Sequence, residues 1–129
     1  MDRARKSGAA VDFHEWRKQI KVLWYELRLL EKCGYDVRRK VADLHRAEAW
    51  LGDDHNTVLL RATLADDTSI LQRAVDLDRL WLAADRYQRG LRRMAIHDMR
   101  RIYSEKSGPF VRSVERAWQR WHQSDRSRA

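Results

Sequence analysis

The chain has 129 residues, enough for one domain with a hydrophobic core and short for two. Hydrophobic residues make up 43%, which argues against disorder, and 27 Lys and Arg against 19 Asp and Glu give a formal charge of +8. A basic balance of this size points to a polyanionic partner (nucleic acid, acidic membrane or polymeric phosphate) without choosing among them.

In chain order, residues 1–11 read as a flexible basic tail that lacks the apolar stretch of a signal peptide. Asp12, with Glu15 three residues on, has the form of a capping box opening a first helix. Phe13, Trp16, Ile20, Leu23, Leu27 and Leu30 step along it by three and four residues, the pattern of a helix packed on other helices. Gly34 supplies the stop. The spacing predicts a second helix from about Asp36 to Leu51, with Val37, Val41, Leu44 and Leu51 inward, ending at Gly52. A short third segment follows over residues 54–65.

Asp66, Asp67, Thr68 and Ser69 offer caps for a fourth helix, with Ile70, Ala74, Leu77, Trp81 and Ala84 on its apolar face. Helical pattern continues through Gly90 to about Lys106, as one long helix with a bend or as two. Ser107-Gly108-Pro109 ends it, and Phe110 to His122 forms a last helix with Phe110, Val114, Ala117 and Trp121 inward, leaving 123–129 as a flexible tail. No stretch alternates as a strand does, so the expected fold is all-α: an antiparallel bundle of about five to six helices over residues 12–122.

The only cysteine, Cys33, has no internal disulfide partner, and a buried structural thiol in a reducing, cytoplasmic setting is the expectation. No window approaches eighteen apolar residues, so no membrane span is expected. No His/Cys set has zinc spacing, and His14-Glu15-Trp16-Arg17-Lys18 lacks the second histidine of a HExxH site. A phosphate loop, a clustered carboxylate metal site and a nucleophile–base pair are also missing, and Asp53 with Asp54 is too little to replace them. An enzyme of phosphate chemistry is therefore not the expectation, and no cofactor is expected.

Charge is segregated along the chain. Residues 51–85 hold seven Asp against three Arg, and residues 86–101 hold six Arg against Asp98 alone. On the first helix, His14, Arg17, Lys18, Lys21 and Arg28 fall in a sector roughly 100° wide whose centre lies roughly 140° from the apolar centre. A solvated charged face is the ordinary reading of such a stripe. Against it, the stripe has no acidic partners at i,i+4 to relieve like-charge repulsion. A second stripe, Arg86, Arg89, Arg93, His97 and Arg100, repeats its composition. Arginine forks and mobile lysine charges suit a repeating phosphate chain, and a protonated histidine can donate to it. His45, His97 and His122 carry no signal individually, and His55 by itself reads as a turn or capping residue. Of the six tryptophans, Trp16, Trp24, Trp50, Trp81, Trp118 and Trp121, most sit at core spacing, with Trp24 the best candidate for stacking on a base.

His14-x-x-Arg17-Lys18-x-x-Lys21 with Tyr25 after it, then Leu51-Gly52-x-x-His55-Asn56, resembles the conserved histidine α-helical domain (CHAD) family. Residues 105–118, Glu105 to Trp118, are similar to that family's closing stretch, so the resemblance spans roughly residues 12–122. It implies a helical bundle that binds inorganic polyphosphate through basic side chains lining a cavity, and a binding module more than a catalyst. Carried over by position, His14, Arg17, Lys18, Lys21 and His55 are the implied contacts. The stripes themselves add Arg28, Arg89 and Arg93.

Two departures stand out: Trp24 occupies a position that is often arginine, and the chain resembles only the second of the family's two helical halves. Such a half-length domain is expected to pair weakly with a second copy. The expected setting is cytoplasmic, in association with polyphosphate granules. The competing reading is a nucleic-acid-binding helical protein, supported by charge and Trp24 but lacking a recognisable reader motif.

Overall fold

The computed structural model describes residues 1–67, 77–104 and 107–128. These are almost entirely helical: α1 (Asp2–Ser7), α2 (Ala10–Lys32), α3 (Arg38–Asp66), α4 (Leu77–Tyr103) and α5 (Ser107–Arg126). The all-α expectation is met, with five helices among the described residues.

α2 forms where the apolar stripe predicts, burying Phe13, Trp16, Ile20 and Leu27. Leu23 and Leu30 are half-buried and pack on the same core. The helix stops because Gly34 takes a left-handed conformation (φ 83°) that a side chain would resist. Its N–H bonds to the Glu31 carbonyl and that of Tyr35 reaches back to Leu30, so the last carbonyls of the helix are paired.

Five details differ from the sequence reading. Residues 1–11 are not a loose tail: Asp2–Ser7 is helical, Ala4 is buried, and Gly8 (φ 65°) turns the chain into α2, which starts at Ala10. Asp12 therefore lies inside the first turn and is not the N-cap. It accepts a hydrogen bond from Ser7 Oγ and pairs with Arg3. Gly52 is not a stop. α3 runs through it to Asp66, because Leu51 and Asp54 on either side are buried and tertiary packing outweighs the cost of one internal glycine, about 1 kcal/mol. Ser107-Gly108-Pro109 opens α5, with the proline in the first turn, where its missing N–H leaves no helix bond unmade. α5 also continues to Arg126, past His122.

Through Gly90, α4 is one continuous helix. Ile70 and Ala74, expected on its apolar face, lie outside the described residues.

α2, α3 and α4 enclose the core: Phe13, Trp16, Ile20 and Leu27 meet Leu44, Ala47 and Leu51 of α3 and Ala95 and Met99 of α4. Fully burying one such side chain contributes about 1.5–3 kcal/mol. Trp16 also donates from Nε1 to the Tyr103 hydroxyl at 3.2 Å, tying α2 to the end of α4.

The α3–α4 seam carries buried carboxylates. Asp43 pairs with Arg46 and Arg101; Asp98 accepts from Trp50 Nε1 at 3.3 Å and lies 3.5 Å from Arg46. Asp54 accepts from Arg92 at 2.8 Å and from Gln88 at 3.2 Å. These pairs run in opposite directions along the two helices, which are antiparallel.

α5 is the exception to burial. Ala117 is buried and Phe110 meets Tyr35 edge-on, but Trp118 is 51% exposed and Trp121, expected to face inward, is 38% exposed. On the surface Trp118 stacks on His122, and the Trp121 ring lies tilted against both.

Candidate functional site

Antiparallel packing of α2 on α3 turns the α2 basic stripe into one row shared by two helices. At one end the His14 and His55 rings stack, with centroids 4.4 Å apart and planes at 27°. Next, Arg17 donates from Nε and Nη2 to Glu48 Oε1 at 3.0 and 2.8 Å, and Lys21 Nζ lies 3.9 Å from the same oxygen. At the far end Trp24 stacks on His45 with ring centroids 5.0 Å apart, and the Arg28 guanidinium lies 5.0 Å from the indole. From residue 14 to residue 28 the helix rises about 21 Å, so the row is long.

Gly52 explains how Arg17 fits. The guanidinium lies across the α3 backbone, and a Cβ added at Gly52 would sit 3.3 Å from Nη2. The glycine that reads as a helix stop is instead the surface on which Arg17 rests.

The row is less bare than the sequence suggests. Lys18 bonds to Glu15 at 2.7 Å, at i,i+3, and Glu48 serves both Arg17 and Lys21. Arg17, Lys18, Lys21 and Arg28 against Glu15 and Glu48 leave a net charge of +2 before the histidines. Lys18 holds the Glu15 carboxyl below its ordinary value through their hydrogen bond and charge.

His14 is held below its ordinary 6.5, first by desolvation and then by His55, Lys18 and Arg17, with Glu15 opposing. Its Nδ1 is buried with no hydrogen-bond partner among the described residues. The free protein thus carries His14 uncharged at neutral pH, in a place where an arriving anion would favour the charged form.

Six of the eight residues singled out in the sequence, His14, Arg17, Lys18, Lys21, Arg28 and His55, come together on the α2–α3 row. Arg89 and Arg93 do not. They line a separate groove of about 460 Å³ with Arg5, Gly8, Phe13, Arg92, Ile96, His97 and Arg100. Arg86 is one turn away and lines another surface depression with Asp78, Arg79 and Leu82.

Glu48 and His45 belong to the row and are missed by sequence reasoning. Once α3 is known to be continuous, residues 45, 48, 52 and 55 have helical spacing of three and four. Breaking the helix at Gly52 hid that signal. Trp24, the candidate base-stacking platform, already has both His45 and Arg28 against its ring.

Asp54 is bound by Arg92, and no group of three or more His, Cys, Asp or Glu side chains is placed to hold an ion among the described residues. No described helix is long and apolar enough to cross a membrane.

Comparison with curated proteins and with solved structures returns no match. The family model described as CHAD domain matches residues 1–65. That match begins earlier than the resemblance read from the motifs, taking in α1, and ends before residues 105–118. It covers half of the chain and contains both histidine-bearing segments and therefore the whole α2–α3 row: the chain belongs to the CHAD domain family.

Proposed function

We propose that this protein is a non-catalytic binding module for inorganic polyphosphate and that the α2–α3 row is its contact surface. The observation that carries the reading is the assembly of His14, Arg17, Lys18, Lys21 and His55 by the antiparallel packing of α2 and α3, within the segment matched by the family model. Arg17 is pre-positioned by Glu48 and Gly52, so little of its side-chain freedom remains to be lost on binding. Lys18, Lys21 and Arg28 supply more mobile charges along about 21 Å of helix, a length suited to a linear polymer. Membership of a family of binding domains supports the non-catalytic reading.

The test is competition: labelled long-chain polyphosphate bound to the protein, challenged with single-stranded or duplex DNA at matched phosphate concentration and near-physiological salt. Polyphosphate is expected to win. Affinity should fall steeply with added salt, because several ion pairs release counterions together. The exposed pair Lys18→Ala with Lys21→Ala should weaken binding while leaving the melting temperature nearly unchanged. DNA binding as tight as polyphosphate binding would favour the nucleic-acid reading instead.

A further inference from the structure

Four members of the second stripe, Arg89, Arg93, His97 and Arg100, line a groove of their own. Its groove lies between α1, the start of α2 and α4, and its floor is Phe13, Ile96 and Arg92. Arg92 is structural: it bonds to Asp54 on α3 and to the Gly8 carbonyl at 3.1 Å, and its guanidinium lies 4.2 Å from the centre of the Phe13 ring. The rim is Arg5, Arg89, Arg93, His97 and Arg100, and no Asp or Glu is among the residues lining it.

The contrast with the α2–α3 row is direct. There, Arg17, Lys18 and Lys21 each pair with a carboxylate. Here, Arg89, Arg93 and Arg100 have no ion-pair partner among the described residues, although they stand on one helix face with like charges at i,i+4 and i,i+7. Like charges one turn apart, as at Arg89 and Arg93, repel one another, and a bound anion relieves that repulsion. Along α4 the basic side chains Arg89, Arg93 and Arg100 share this face with His97, which lies 3.6 Å from Asp98, and the rise from 89 to 100 is about 16 Å. A compact anion can meet only neighbouring members of such a line, whereas a chain of phosphates meets all of them.

From this geometry we infer that the α1–α4 groove is a second, separate binding site for a linear phosphate chain, so that one molecule holds two stretches of polymer. The inference rests on the polyphosphate reading of the first row and adds a site to it. Joining two sites on one polymer raises the overall affinity by roughly 10²–10⁴ over either alone, provided the polymer can span them.

The experiment is a titration of three proteins by calorimetry: wild type, Arg89→Glu with Arg93→Glu and Arg100→Glu, and Lys18→Glu with Lys21→Glu. The probes are sodium tripolyphosphate, too short to bridge, and long-chain polyphosphate. Helix content by circular dichroism checks that the exposed substitutions leave the fold intact. Wild type is expected to take up two tripolyphosphate ions per protein and each variant one. Long-chain affinity in the arginine variant is expected to fall about 10²-fold.

One ion per protein in wild type and in the arginine variant, lost only in the lysine variant, would overturn the second site and leave the first reading standing. Loss only in the arginine variant would keep the groove and overturn the first row. Absence of binding in wild type would overturn both.

Discussion

The imidazoles of His14 on α2 and His55 on α3 stack at 4.4 Å across a helix–helix seam. Two rings that close cannot both be protonated without repulsion, and His55 is one of the groups that hold His14 below its ordinary 6.5. A phosphate chain laid beside them would reverse that preference, so binding takes up a proton. Polyphosphate affinity should therefore rise as pH falls from about 8 to about 6, and His14→Gln should flatten the profile. Dissociation constants across that range check it; an equally steep profile in the variant would remove His14 as the source.

For folding, the sign runs the other way. The native state favours neutral His14, so its contribution to stability is present in full above pH 6.5 and is lost as pH falls through 6.5 toward the lower native value. Wild type should lose more melting temperature between about pH 7.5 and about pH 5.5 than His14→Gln does.

Gly52→Ala separates folding from binding. Alanine in the middle of α3 gains up to about 1 kcal/mol of helix propensity, while its methyl group presses on the Arg17 guanidinium and displaces it by a few tenths of an ångström. The variant should melt at or above the wild-type temperature yet bind polyphosphate about fivefold more weakly, a loss of roughly 1 kcal/mol. Parallel thermal melts and binding curves decide.

Glu48 competes with any anion for Arg17 and Lys21. Glu48→Gln should raise polyphosphate affinity several-fold and steepen its salt dependence, because two cations become available together. Stability should drop by about 1 kcal/mol as a charged hydrogen bond becomes a neutral one. A fall in affinity would mean that Glu48 matters more for holding Arg17 in place than for neutralising it.

Asp54→Ala should be the most damaging single change. It leaves Arg92 without its carboxylate at a buried seam and Gln88 with only the main-chain carbonyl of residue 54, at 3.5 Å, and loss of one partner from such a pair costs about 3–5 kcal/mol. Chemical denaturation should report that loss. Asp53→Ala, one residue away and exposed, should change stability by less than about 0.5 kcal/mol.

The helices and their buried faces were legible wherever a long periodic stripe existed: Phe13, Trp16, Ile20 and Leu27 are buried as their spacing predicts, and Gly34 ends α2. Short or polar signals misled. Residues 2–7 hold too few apolar side chains to announce a helix, and α1 is ordered because Ala4 reaches the core and Gly8 offers its carbonyl to Arg92. Trp121 and Trp118 have core-like spacing on α5, but that spacing reports amphipathicity alone, and in this chain their face stays exposed.

By itself the sequence determined the all-helical class, the charge segregation and the residue types of the two basic stripes, because periodicity and composition are local properties of the chain. Tertiary structure alone decided how those stripes combine. The antiparallel register of α2 on α3 sets His14 against His55 and supplies Glu48 to Arg17, and the packing of α1 and α4 around Phe13 sends Arg89 and Arg93 to a different groove. The physical reason is that a helix fixes which residues share its own face, while the partner of each face is chosen by how the buried stripes interlock, and that choice depends on side chains far apart in sequence.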